Sequence, residues 1–215
     1  MIVLMICNLF TTLSTWAIFV ILAYLIGGIP FGYLIGRMRG IDVRTVGSKN
    51  IGATNVYRTV GPKWGFLAFA LDFLKGFVPA FIAWHFASGD GRPVFAELPI
   101  VTGLACVIGH TLTIYMNFKG GKGVATAFGM LCALIPYAAL ASFLLFVITV
   151  WLSHYISLGS ILAAAFLAVI VWFDRFDPCC TLTVRIVVGL IGLFVIYKHK
   201  TNIQRLRNHC ENRIY

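Results

Sequence analysis

The stretch "KGVATAFGMLCALIPYAALASFLLFVITVWLS", residues 122–153, decides how this chain is built. It is an apolar run interrupted near its middle by Pro136. Read as one helix, it is a single long membrane crossing. Read as two, it adds a crossing and reverses the side on which everything downstream emerges. Proline removes a backbone donor and disfavours helix at the residue before it, yet membrane helices tolerate it. The charges on either side of the run decide better than the proline does.

Working outward, apolar stretches of membrane-helix character lie at 16–36, 64–87, 98–117, 122–135, 137–153, 157–173 and 182–197. The connection after the first carries Arg37, Arg39, Arg44, Lys49, Arg58 and Lys63 against one acid, Asp42. Lys119 and Lys122 sit between the third and fourth, and Lys198, Lys200, Arg205, Arg207 and Arg213 follow the last. The remaining connections hold Asp90, Arg92 and Glu97, then Asp174, Arg175 and Asp177. Basic connections stay on the cytoplasmic side. Seven spans with the N-terminus outside put all three basic segments inside; six would strand the basic tail outside. The expectation is an all-α polytopic membrane helix bundle of seven transmembrane helices, one domain over 1–215, with the C-terminus cytoplasmic.

Composition agrees, since 60% of residues are hydrophobic and 11% charged, which leaves no length for a soluble domain. No charged side chain occurs before Arg37, so the basic n-region of a cleaved signal is missing and the first apolar stretch reads as a retained span. The net charge of +10 suits anionic lipid headgroups, whereas nucleic acid is excluded as a partner because no soluble module presents a groove. Six scattered cysteines show no metal-ligand spacing and imply no disulfide framework; only the vicinal Cys179 and Cys180 suit redox work.

Three polar clusters fall on the predicted cytoplasmic face. "GSKNIGATNVYR", residues 47–58, offers Ser48, Asn50, Thr54 and Asn55 as hydrogen-bonding groups and Arg58 as a planar fork for phosphate. Asn50, Thr54 and Arg58 are four apart and share a face if a short helix starts near Asn50. Ser48 or Asn50 as a helix cap, with Arg58 as a topology charge, is the competing reading. "FKGGKGVAT", residues 118–126, joins Gly120, Gly121 and Gly123 to Lys119 and Lys122 at the start of a span. Glycines there can turn their amides toward an anion beside the helix dipole, and the site is read as a phosphate cradle. It lacks the spacing of a nucleotide-binding P-loop. "KHKTNIQRL", residues 198–206, places His199 and Asn202 on one helical face. His110 reads as a residue that packs or that supports the site from behind, and Asp72 with Lys75, three apart inside a span, as a paired brace.

These segments resemble, in order, the three cytoplasmic motifs of the bacterial acyl-phosphate-dependent glycerol-3-phosphate acyltransferases, the PlsY family. "GSKNIGATNVYR" is similar to GSxNxGATNxxR, "GH…FKGGKGVAT" to the glycine-rich second motif and "HKTNIQRL…E" to the third. The resemblance implies transfer of a fatty acyl group from acyl phosphate to the 1-hydroxyl of sn-glycerol 3-phosphate, in the first step of phospholipid biosynthesis. It also implies a bacterial inner-membrane location, a functional monomer and no cofactor or metal. It makes Ser48, Arg58, Lys119, His199 and Asn202 the catalytic set. Asn50, Thr54, Asn55, Gly120, Gly121, Lys122 and Gly123 become the substrate-binding residues. The chain departs from the pattern at Lys49 and His209, usually glycines, and at Leu112 and Thr113, where Phe-Pro is common.

Two other readings compete. His85 and Asp90 fit the H-x-x-x-x-D pattern of thioester-dependent acyltransferases, but the predicted topology puts them on the outer face. A transporter for phosphate-bearing anions would show repeats with broken helices near the midplane, and no such repeat is evident.

Overall fold

The computed structural model describes residues 2–173 and 180–214, with side chains from Asn8 onward. Among the described residues every regular element is helical: α1 (Ile2–Gly28), α2 (Phe31–Met38), α3 (Ala53–Thr59), α4 (Pro62–Asp90), α5 (Leu98–Thr111), α6 (Val124–Leu134), α7 (Pro136–Ser153), α8 (Ile156–Ile170), α9 (Leu182–Lys198) and α10 (Lys200–Arg207), with short 3-10 turns beside α5. Pro136 does split the opening stretch. Ile135 leaves helical geometry at φ −140, and the proline starts α7, where its missing N–H costs nothing.

Length separates the helices into groups. Four segments are long and apolar enough to cross a membrane: Asn8–Met38, Pro62–Asp90, Pro93–Met116 and Pro136–Ser153. A fifth would be α9 with α10, bent by 55° between them. α6 and α8 are apolar but shorter, at 11 and 15 residues. The expected boundaries shift for local reasons. The first helical segment begins well before residue 16 and breaks at Ile29–Pro30. α5 stops at Thr111, short of 117, because Thr113 donates its hydroxyl to the Gly28 carbonyl at 2.6 Å and accepts the Tyr115 amide at 3.3 Å. Proline at that position would supply neither bond. Cys179, Asp174 and Asp177 lie outside the described residues, so the vicinal cysteine pair and that acidic connection are not described.

Close helix approach depends on small residues. Gly76 of α4 lies on the Thr126 backbone, and Gly129 of α6 on that of Phe73, so α4 and α6 touch along the small-residue faces that membrane helices use. The main core joins α4 through α9 and includes Met130, Ile135, Ala139, Leu167 and Val188. The buried pair in α4 behaves as a brace: Lys75 Nζ lies 2.7 Å from Asp72 Oδ1 and also donates to the Ile29 carbonyl at 2.8 Å, tying α4 to the end of α1.

Candidate active site

All three polar clusters meet at one end of the bundle around a cavity of about 310 Å³. α3 brings Thr54 and Arg58 to its wall one turn apart, as their spacing predicted. The helix starts at Ala53 rather than near Asn50; Asn50 precedes it and accepts the Gly52 amide at 2.8 Å, an Asx-type turn. Asn50 and Ser48 still line the cavity, with Ser48 exposed at its rim. Asn55 is 1% exposed and works as a strap, accepting the Ser48 amide at 2.8 Å and donating to the carbonyls of Val43 at 2.8 Å and Val46 at 3.2 Å.

The glycine-rich turn differs from the expected cradle. Gly120 and Gly121 donate their amides to the carbonyls of Thr111 and His110, at 3.2 and 3.1 Å, so those N–H groups close the end of α5 instead of facing an anion. Their value is closeness: a Cβ on Gly121 would run into His110 Nε2. Gly123, at φ 78, turns the chain into α6, whose first residues Val124 and Ala125 line the cavity. Lys122 lines the cavity. Lys119 does not line it: after the left-handed Asn117 and Phe118 (φ 51 and 60), Lys119 is exposed at the surface.

From the C-terminal side come His199 and Asn202, 3% and 6% exposed. Asn202 accepts Lys122 Nζ at 2.6 Å and donates to Glu211 Oε1 at 2.7 Å. Glu211 also accepts Ser157 at 2.9 Å and Arg205 Nε at 2.6 Å. Burial opposes its charge, but the bonds from Arg205, Asn202 and Ser157 outweigh burial and hold it below the usual carboxylate value. The tail is further tied by Arg58, which donates to the Asn212 carbonyl at 2.7 Å, and by the Ile214 amide on the His154 carbonyl at 2.9 Å. Arg58 Nε is buried with no hydrogen-bond partner among the described residues.

The electrostatics favour an anion. Four cations, Arg58, Lys122, Lys198 and Arg205, line the cavity with Glu211 and the braced Asp72. Burial pulls Lys122 down to about 8, against the opposite pull of Glu211, with Arg205 and Arg58 adding to the lowering. Burial likewise pulls His199 down to about 4, helped by Lys122. His199 is thus neutral at pH 7, with Nδ1 donating to the Val195 carbonyl at 2.8 Å and Nε2 left as an acceptor.

Sequence reasoning made Asp72 part of a brace and His110 a packing or supporting residue and gave no role to Glu211, Arg205 or Ser157, yet all five line the cavity. Glu211 and His110 stood inside the recognised motifs; Ser157, a lone serine at the start of α8, carried no signal. His85 is exposed near the far end of α4, roughly 20 Å from Asp72 by helical rise, and Asp90 pairs with Arg92 at 2.5 Å. That decoy takes no part in the site.

A second cavity of about 90 Å³ adjoins the first. The two share Phe69, Val124, Ala125 and Ser160. Its lining includes Phe128, Phe143 and Phe146 and small residues such as Ala163, Ala164 and Gly192. A cationic chamber that shares a wall with an apolar crevice between helices is an arrangement suited to amphiphiles with anionic heads.

The comparisons with known proteins narrow that class. The family model described as glycerol-3-phosphate acyltransferase matches residues 17–209. The glycerol-3-phosphate acyltransferase of Trichlorobacter lovleyi is 47% identical over 86% of this chain and 90% of its own. That of Aquifex aeolicus is 46% identical over 90% and 96%. A crystal structure of PlsY, an integral membrane glycerol 3-phosphate acyltransferase, in its glycerol 3-phosphate form superposes with a TM-score of 0.83 at 42% identity, covering 93% of this chain and 95% of that one. The lysophosphatidic acid form of PlsY gives 0.80 at 41%. The chain belongs to the glycerol-3-phosphate acyltransferase family, and it is an integral membrane acyltransferase of phospholipid synthesis.

Proposed function

We propose that the protein transfers a fatty acyl group from acyl phosphate to the 1-hydroxyl of sn-glycerol 3-phosphate, releasing lysophosphatidate and inorganic phosphate. The observation that carries the reading is the wall shared by the two cavities: four cations line a chamber suited to phosphate heads, and an apolar crevice suited to the tail lies beside it. The hydroxyl oxygen attacks the acyl carbonyl carbon, the bond from that carbon to the phosphate oxygen breaks, and the hydroxyl proton leaves with the phosphate. No group of the protein need become acylated. Its part is positioning and charge stabilisation. Arg58, whose Nε is a buried and unmatched donor, and Lys122, held by Asn202, are suited to the phosphates. Ser48, Asn50 and Thr54 shape the rim, Asn55 holds its loop, and His199 and Asn202 face the reacting head. Lys119, exposed outside the cavity, is placed for the approach of anions rather than for contact.

In the membrane, α6 and α8 complete a set of seven crossings with the N-terminus outside, and the cavity opens to the cytoplasm of a bacterial inner membrane. A single chain contains the whole chamber, which supports a functional monomer. Purified protein in lipid, supplied with glycerol 3-phosphate and either palmitoyl phosphate, palmitoyl-CoA or palmitoyl-carrier protein, tests the reading. Turnover with the acyl phosphate alone is expected, lost in Lys122→Ala and kept in His85→Ala. Turnover only with thioesters would overturn the donor, and silence with all three, together with counterflow of labelled glycerol 3-phosphate, would make the protein a transporter.

A further inference from the structure

The chamber is rich in donors and poor in acceptors. Its cations can only donate. Its obvious acceptors are already used: Glu211 takes Ser157, Asn202 and Arg205, and Asn202 Oδ1 takes Lys122. Asn50 Oδ1 and Asn55 Oδ1 hold the amides of Gly52 and Ser48. Asp72 is matched by Lys75 at 2.7 Å. Among the buried lining residues the hydroxyls of Ser157 and Ser160 already donate, to Glu211 and to the Ile156 carbonyl, and the imidazoles of His199 and His110 each present a further nitrogen.

His110 is 5% exposed, and its ring is oriented from both edges. Nδ1 is buried without a hydrogen-bond partner and lies 3.6 Å from Asp72 Oδ1, too long for a hydrogen bond but facing a carboxylate. A lone pair there would be repelled, so Nδ1 carries the proton, and in the neutral ring Nε2 is the acceptor. Nε2 lies against Gly121, whose missing side chain leaves it room, and both residues line the chamber.

Glycerol 3-phosphate brings two hydroxyl donors besides its phosphate. The Val195 carbonyl orients His199, and Val195 also lines the apolar crevice. His199 therefore lies on the side of the chamber nearer the crevice, which in the proposed transfer is the side of the acyl head and of the attacking hydroxyl. We infer that His110 Nε2 accepts the hydrogen bond of the other hydroxyl, the one on C2, and thereby selects glycerol 3-phosphate as acceptor. The inference rests on the proposed acyl transfer and assigns His110 a substrate-binding role in it.

The test uses full-length protein in lipid with palmitoyl phosphate as donor. Three acceptors are compared: glycerol 3-phosphate, 3-hydroxypropyl phosphate, which lacks the 2-hydroxyl, and dihydroxyacetone phosphate, whose C2 carbonyl cannot donate. The wild type should lose about 10- to 100-fold in kcat/KM with either analogue, the effect of leaving one buried polar group unmatched. His110→Leu should lose a similar factor with glycerol 3-phosphate and no longer distinguish 3-hydroxypropyl phosphate from it, so that the two deletions are not additive. His110→Gln, which restores an acceptor, should recover part of the preference. Additive losses, or a His110→Leu variant that keeps the preference, would overturn the assignment. So would a wild type that uses all acceptors alike, which needs no variant to fold. Absence of any acyl transfer by the wild type would instead bring down the functional reading and the inference with it.

Discussion

Two groups of charge in this molecule obey opposite rules. Inside the bundle, Asp72 and Lys75 match one for one at 2.7 Å, with side chains 3% and 2% exposed. At the mouth, Arg58, Lys122, Lys198 and Arg205 face Glu211, the one carboxylate of the chamber not already matched by Lys75, leaving positive charge in excess. Where side chains are buried this deeply, an unmatched charge costs more than a bundle can sustain. Where the chamber opens, the imbalance is tolerated and becomes affinity for phosphate. Balanced charge here is architecture and surplus charge is function.

The comparison breaks most readily at Lys75. Lys75→Met should destabilise the protein by about 3–5 kcal/mol by stranding Asp72, and adding Asp72→Asn should recover much of that loss. Thermal unfolding in detergent reads both; an unchanged Lys75→Met would show that the interior charge was never costly. Arg58→Ala should do the reverse. It should lower kcat/KM by about 10²–10³-fold, the scale of losing one aimed donor at a site of developing charge, with a much smaller change in unfolding temperature.

The pH dependence sharpens the contrast. Lys122 titrates at about 8 in the folded protein against 10.5 when free, so the native state binds fewer protons between those values and gains stability as pH rises through them. Phosphate affinity moves the other way. KM should rise above about pH 8 while the unfolding temperature holds or increases, and Lys122→Arg should shift that rise out of range. Parallel loss of activity and stability would refute this. His199 has its pKa lowered to about 4 from 6.5, so its contribution to stability is full above pH 6.5 and falls as the solution is acidified toward 4.

The smallest effect concerns the two departures from glycine. Lys49 and His209 adopt left-handed backbone, at φ 57 and 54, where a side chain strains the chain. Lys49→Gly or His209→Gly should raise stability by about 1 kcal/mol, with no change in catalysis. A loss instead would mean that the exposed side chains make contacts worth more than the strain.

Much of this was legible in the sequence. The Pro136 break, the apolar segments and the three polar clusters follow from hydropathy, charge asymmetry and backbone chemistry, which are local properties. So are the shared face of Thr54 and Arg58 and the pairing of Asp72 with Lys75, because helical spacing dictates them. Only the tertiary structure decided which of two lysines three residues apart enters the chamber, because a left-handed turn at Asn117 and Phe118 lies just before Lys119 and no hydropathy pattern records it. It also decided that the amides of Gly120 and Gly121 serve α5, and that Glu211 returns from the tail to join α8 and α10. His110 gained its place the same way, between a carboxylate on α4 and a glycine in the next turn. Each of these depends on groups far apart in the chain meeting in space, and a linear pattern carries the identity of such groups but not their company.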